Sequence, residues 1–253
     1  MKIEGLAAIV TGGASGLGGA TAALLAELGA KVAVFDVNEE AGAAYAKAIG
    51  GLFEHVNVAD EASVVSGIAA AEAAHGTARI LVNCAGVAPA IKTVGKENVA
   101  HPLDAFRRTV EINLIGSFNV ISQFAARLAA ADPVGEERGV IVNTASVAAY
   151  DGQIGQAAYA ASKSGVVGMT LPVARDLAQH RIRVVTIAPG IFLTPMLMGL
   201  PQAAQESLGT QVPHPSRLGK PEEYAQMVRS IIENPMLNGE TIRLDGAIRM
   251  APR

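Results

Sequence analysis

A strand, a glycine-rich turn, a helix and a second strand follow one another in residues 6–36. That order leaves the two strands only one way to pair. Residues 6–11, LAAIVT, are a short apolar run of the kind a buried strand shows. TGGASGLG (11–18) overlaps its end, ATAALLAELGA has helical spacing with Gly29 at the C-cap, and KVAVFD (31–36) ends a second strand on an acid. Strands joined through a helix lie parallel, since a tight hairpin cannot connect them. The alternation continues along the chain. Helices are predicted at 39–50, 60–76, 103–129, 156–180 and 221–233, and strands at 52–58, 79–86, 139–146, 183–190 and 241–246. About seven strands, nearly all apolar, with helices on both faces make an α/β fold of the Rossmann type, a doubly wound parallel sheet. No repeat, low-complexity tract or linker interrupts it, so residues 1–253 are read as one domain, with a long loop at about 190–215.

The glycine turn carries chemistry of its own. Gly12, Gly16 and Gly18 are spaced G-x-x-x-G-x-G, with Gly13 in addition, between a first strand and the helix after it. Glycines there let backbone approach a phosphate, and the helix N-terminus offers free N–H groups and a favourable dipole. The turn residues Gly12, Ser15, Gly16, Leu17 and Gly18 are therefore expected to bind the pyrophosphate of a dinucleotide. Asp36 ends the second strand about 20 residues on, where an acid receives the ribose hydroxyls. A carboxylate there repels a 2′-phosphate, and neither Val37 and Asn38 nor Ala14 and Ser15 offer a cation. The expected cofactor is NAD in preference to NADP.

Composition removes other classes. A net charge of −3 is wrong for a nucleic-acid or anionic-membrane partner, and no apolar run reaches the length of a membrane span. MKIEGLAAIV is broken by Glu4 and Gly5 before it can serve as a signal peptide. The single cysteine, Cys84, excludes an internal disulfide, and a cytoplasmic location is expected. His55, His75, His101, His180 and His214 show no metal-binding spacing, so no catalytic metal is expected.

Ser146, Tyr159 and Lys163 stand in SVAAYDGQIGQAAYAASK. Positions i and i+4 share a helix face, so Tyr159 and Lys163 can enter one cleft. A cation about 4 Å away at an effective dielectric near 20 contributes about 4 kcal/mol. That lowers a phenol by about 3 pKa units, with burial opposing it.

With TGGASGLG, NCAG (83–86), EIN (111–113), Ser146, YAASK (159–163) and PG (189–190), the chain resembles the short-chain dehydrogenase/reductase family from end to end. The resemblance implies Tyr159 as general acid/base, with Lys163 lowering its pKa and holding the nicotinamide ribose. It implies Ser146 bonding the reacting oxygen, and Asn113 in a proton relay. It also places Asn57, Val58, Asn83, Ala85, Gly86, Pro189, Gly190, Phe192 and Thr194 at the cofactor. Two positions depart from the family pattern: Cys84 where NNAG is usual, and Asn57 where an acid is usual.

GQAAYAASKSGVVGMTL (155–171), VPHPSRLGKPEEYA (212–225) and IIENPMLNGETIRLDGAIRM (231–250) resemble the type II 3-hydroxyacyl-CoA dehydrogenase subgroup, also called 17β-hydroxysteroid dehydrogenase type 10. This second resemblance implies an NAD-linked homotetramer that oxidises 3-hydroxyacyl-CoA, with Gln156 beside the substrate. The apolar residues Phe192, Leu193, Met196, Leu197, Met198 and Leu200 suit an acyl chain, Leu197 as a substrate contact. Lys92, Lys96, Arg107 and Arg108 are placed to meet phosphates or to face solvent. A hydroxysteroid or other secondary alcohol, a 3-oxoacyl carrier-protein substrate, and a non-catalytic NAD-binding role stay open as alternatives.

Overall fold

A computed structural model describes residues 1–198 and 201–252. Its elements run β1 (Ala7–Thr11), α1 (Gly16–Glu27), β2 (Lys31–Asp36), α2 (Glu39–Ala48), β3 (Leu52–His55), α3 (Glu61–His75) and β4 (Ala78–Asn83). There follow α4 (Leu103–Val110), a π-helical turn (Glu111–Ile115), α5 (Gly116–Ala129), β5 (Gly139–Thr144), α6 (Ala157–Ala178) and β6 (Ile182–Pro189). The short helices α7 (Pro195–Met198) and α8 (Gln202–Gly209) precede α9 (Pro221–Glu233) and β7 (Thr241–Leu244). The strands form one parallel sheet in the order β3-β2-β1-β4-β5-β6-β7.

Continuous apolar strands are explained by burial on both faces. Ala8 and Val10 of β1, Val32 and Val34 of β2, and Val140 and Val142 of β5 face Leu25 of α1 and Tyr224, Val228 and Ile231 of α9. Their alternates, Ile9, Phe35 and Ile141, face Ile68 of α3 and Ile121, Phe124 and Leu128 of α5. Side chains alternate across a strand, so each strand needs apolar residues at successive positions. The sheet order reverses between β1 and β4, and a crevice opens there beyond the carboxyl ends of the strands.

Two departures from the sequence reading matter for function. The helix predicted at 103–129 carries a wide π-helical turn at its middle, an interruption that hydrophobic periodicity does not register. The long segment after Gly190, read as loop, holds α7 and α8. Leu200, and the Met196 side chain, lie outside the described residues.

Helix starts follow local chemistry. Asp60 caps α3, its Oδ1 accepting from Ser63 N at 3.2 Å. Replacing it with Ala should lower stability by about 1 kcal/mol in urea unfolding. An unchanged midpoint would mean that the cap contributes nothing.

Candidate active site

A cavity of about 1180 Å3 follows the ends of β1, β2, β4, β5 and β6. The glycine turn forms one end of it. Gly12 has φ +61°, and a Cβ there would stand 2.8 Å from Ala85 N; a Cβ on Gly18 would overlap the Gly12 carbonyl. Both positions are therefore closed to larger residues, and the turn is drawn tight against β4. No side chain caps α1 and no acid lies in its first turn, so its N-terminal dipole is left for a ligand. Ser15, Gly16 and Leu17 line the cavity at this point. Asp36, also on the lining, accepts from Ala14 N at 3.2 Å and Asn38 N at 3.1 Å. Its carboxylate is thus held beside the turn with lone pairs to spare. An uncapped helix end, glycines that admit close approach and a fixed acid suit a dinucleotide.

Tyr159 and Lys163 lie on the first turns of α6, and Ser146 follows β5. All three line the same cavity. Ser146 Oγ accepts from Ala148 N at 3.1 Å, which leaves its proton to donate. It donates toward Tyr159, pulling the phenol pKa down, but burial is the larger effect and the phenol lies above its ordinary value. Burial thus outweighs the lowering that the sequence predicts from the Lys163 charge. Lys163 Nζ is 5.9 Å from the Tyr159 ring centroid and donates to the Thr144 carbonyl at 2.7 Å. Burial lowers the lysine pKa to about 8.

Asn113 sits in the π-helical turn, fully buried, and does not line the cavity. Its Oδ1 accepts from Val87 N at 2.8 Å, while Nδ2 donates to Val87 O at 2.9 Å and Ser162 Oγ at 3.0 Å. The side chain clamps the segment after β4 to α6. A Cβ at Gly86 would lie 3.1 Å from Asn113 Oδ1 and 3.6 Å from Lys163 Nζ, so the asparagine and the lysine meet around Gly86.

Asn57, Val58, Ala85, Gly86, Gln156, Pro189, Gly190, Phe192, Thr194 and Leu197 line the cavity as well. Asn83 does not. Its Nδ2 donates to Asn143 Oδ1 at 3.0 Å and its Oδ1 accepts from Thr11 at 3.4 Å, a buried polar ladder across the sheet. Arg107 and Arg108 reach the lining, whereas Lys92 borders a smaller cavity between residues 92–94 and 152–160. Lys96 is exposed. Among the described residues no group of three or more His, Cys, Asp or Glu is placed to hold a metal ion.

Sequence reasoning missed Thr144, Tyr224, Gln153 and Met250. Thr144 Oγ1 donates to Asn83 O at 2.6 Å, which leaves it to accept from the buried Tyr224 hydroxyl at 2.7 Å. The carbonyl holding Lys163 therefore belongs to a residue fixed from α9. Cys84 Sγ lies 3.7 Å from the same hydroxyl, and burial raises its thiol pKa. Tyr224 lies in VPHPSRLGKPEEYA (212–225), and nothing local links it to residue 144.

Residues 6–205 match the model of the short chain dehydrogenase family. The chain is 54% identical to 3-hydroxyacyl-CoA dehydrogenase type-2 of Rattus norvegicus and 53% to that of Homo sapiens, covering 99% of this chain and 98% of each relative. The crystal structure of 3-hydroxyacyl-CoA dehydrogenase type-2 from Mycobacterium avium superposes with a TM-score of 0.94 at 41% identity, covering 100% of both chains. Likeness at that level over the whole length, on a sheet of this order, settles the family: the chain is an enzyme belonging to the short-chain dehydrogenases.

Proposed function

We propose that the chain is an NAD-dependent oxidoreductase interconverting 3-hydroxyacyl-CoA and 3-oxoacyl-CoA. One observation carries the chemistry: the Tyr159 phenol, the Ser146 hydroxyl and the Lys163 ammonium open into one cavity whose far end is the glycine turn with Asp36. The substrate class is supported by the names of relatives more than half identical over nearly the full chain. A bound nicotinamide would exchange a hydride with the carbinol carbon. The protein does the rest. Tyr159 gives its proton to the carbonyl oxygen in reduction and takes it from the hydroxyl in oxidation, and Ser146 bonds the same oxygen. Lys163, tied to the Thr144 carbonyl, keeps positive charge beneath the phenol.

Phe192, Leu197, Leu208 and Met250 give the cavity an apolar wall suited to an acyl chain, and Arg107 and Arg108 bring positive charge to its edge. The apolar wall also favours a second reading, a hydroxysteroid or other bulky secondary alcohol. We read residues 1–253 as one domain whose segment 190–215 covers the substrate. Exposed Leu103, Ile115, Phe118 and Leu171 on α4, the π turn, α5 and α6 support a homotetramer. Among the described residues no helix is long and apolar enough to cross a membrane. The free Cys84 is consistent with a reducing cytoplasm.

Steady-state rates with acetoacetyl-CoA and NADH, set against a steroid ketone and a carrier-protein thioester, test this. The CoA thioester should give the largest kcat/KM. A steroid ketone turned over better would replace the reading. In the same assay Asp36→Ala should erode the preference for NADH over NADPH by roughly 10- to 100-fold, the worth of a charge-assisted hydrogen bond. Equal use of both by the unsubstituted enzyme would remove the basis for assigning Asp36 to the ribose.

A further inference from the structure

The segment after β7, residues 246–252, runs back across the substrate end of the cavity, and Met250 is part of the lining. Its main chain is tied down on several sides. Gln153 Nε2 donates to Ala251 O at 2.9 Å, and Ile154 N donates to Pro252 O at 3.0 Å. Arg243 Nη2 donates to Ile248 O at 2.9 Å while its guanidinium pairs with Asp151 at 2.6 Å and Asp245 at 2.7 Å. Ile248 itself is buried. Gly246, at φ +59°, accepts from His214 N at 3.2 Å, and a Cβ there would overlap the Val212 side chain. The segment therefore joins the end of the α8 region to the loop 151–156 that precedes Tyr159.

These ties hold the segment independently of the Met250 side chain. They also bear on Gln156. Gln153 N donates to Gln156 Oε1 at 3.0 Å, so the residue bonded to the segment also orients the amide beside the substrate position. Met250 is left as a half-buried thioether on a fixed main chain, facing the cavity that Gln156, Tyr159 and Leu197 share. An unbranched apolar side chain in that place sets a limit on size without contributing a polar contact.

We propose that Met250 determines specificity, setting how large an apolar group is accepted beside the reacting carbon, with residues 246–252 as a rigid wall. This rests on the dehydrogenase chemistry above but not on the CoA head group. The test measures kcat/KM for a homologous series, 3-oxobutanoyl to 3-oxooctanoyl thioesters of CoA, with Met250→Ala, Met250→Leu and Met250→Phe in the full chain. Where CoA thioesters are not turned over, 2-butanol to 2-octanol with NAD replaces them, which separates failure of the substrate class from failure of this inference. Met250→Ala should raise the long-to-short ratio roughly ten-fold or more, the scale on which an apolar pocket reads chain length. Met250→Phe should lower it, and Met250→Leu should keep the original ratio. If all three variants change kcat/KM equally for every chain length, or not at all, Met250 only supports the fold and the proposal is overturned.

Discussion

Tyr159→Phe should reduce kcat by about 10²- to 10⁴-fold, the range of a general acid/base group, and leave NADH binding within a factor of a few. The substitution removes one oxygen. The ring stays, and with it the contact with Lys163, whose Nζ lies 5.9 Å from the ring centroid. Lys163 remains tied to Thr144 O, and the glycine turn and Asp36 are untouched. What disappears is the group that exchanges the proton, together with the acceptor of the Ser146 hydrogen bond. Burial holds the phenol above its ordinary pKa, so it is neutral near pH 7. The resting form is thus the proton donor needed for reduction, while oxidation has first to remove that proton. Single-turnover rates with a fluorescence titration of NADH separate the two quantities. Turnover within three-fold of the parent enzyme would end the assignment of Tyr159 as acid/base, and loss of NADH binding would mean the site had collapsed instead.

How far the sequence carries this picture depends on the range of the interaction. β2 is predicted at 31–36 and observed as Lys31–Asp36, because burial on both faces demands an unbroken apolar run and Asp36 ends it. The glycine turn is legible for a similar reason, since Gly12 and Gly18 have no room for any other residue. The seven strands and their flanking helices follow from the same local rules. Long-range contacts are another matter. Tyr224 reaches Thr144 across 80 positions, and Gln153 reaches Ala251 across 98. Neither pairing leaves a spacing to read. The π-helical turn escapes because one extra residue in a turn barely alters the apolar pattern around Asn113. Asn83 is expected at the cofactor only from its motif; its side chain turns into the sheet, where the facing Asn143 supplies its partner. The direction of the Tyr159 pKa is not legible in the sequence, which gives the charge of a neighbour but not the depth of burial.

Lys163 offers the sharper test, because its charge has consequences for stability as well as rate. Burial lowers its pKa from 10.5 to about 8. The folded protein therefore gives up this proton more readily than the unfolded chain does. Below about pH 8 both states carry the ammonium, and the folded state bears the full cost of burying it. Between about pH 8 and 10.5 the unfolded chain binds more protons, so stability rises with pH through that window. The contribution is on the order of 3 kcal/mol, at 1.36 kcal/mol per pKa unit. Lys163→Met should remove this rise and leave the protein at neutral pH no less stable than its parent, since an apolar chain replaces a buried charge. The same substitution should lower kcat by about 10²-fold or more, because no positive charge remains beneath the phenol when the alkoxide forms. In the parent, the rate of carbonyl reduction should fall above about pH 8 as the ammonium is lost, and that break should be missing in the variant. Urea unfolding from pH 7 to 10, run beside a pH–rate profile, reads both effects on one protein. If the two proteins share the same pH dependence of stability, the proton that leaves near pH 8 is not on Lys163.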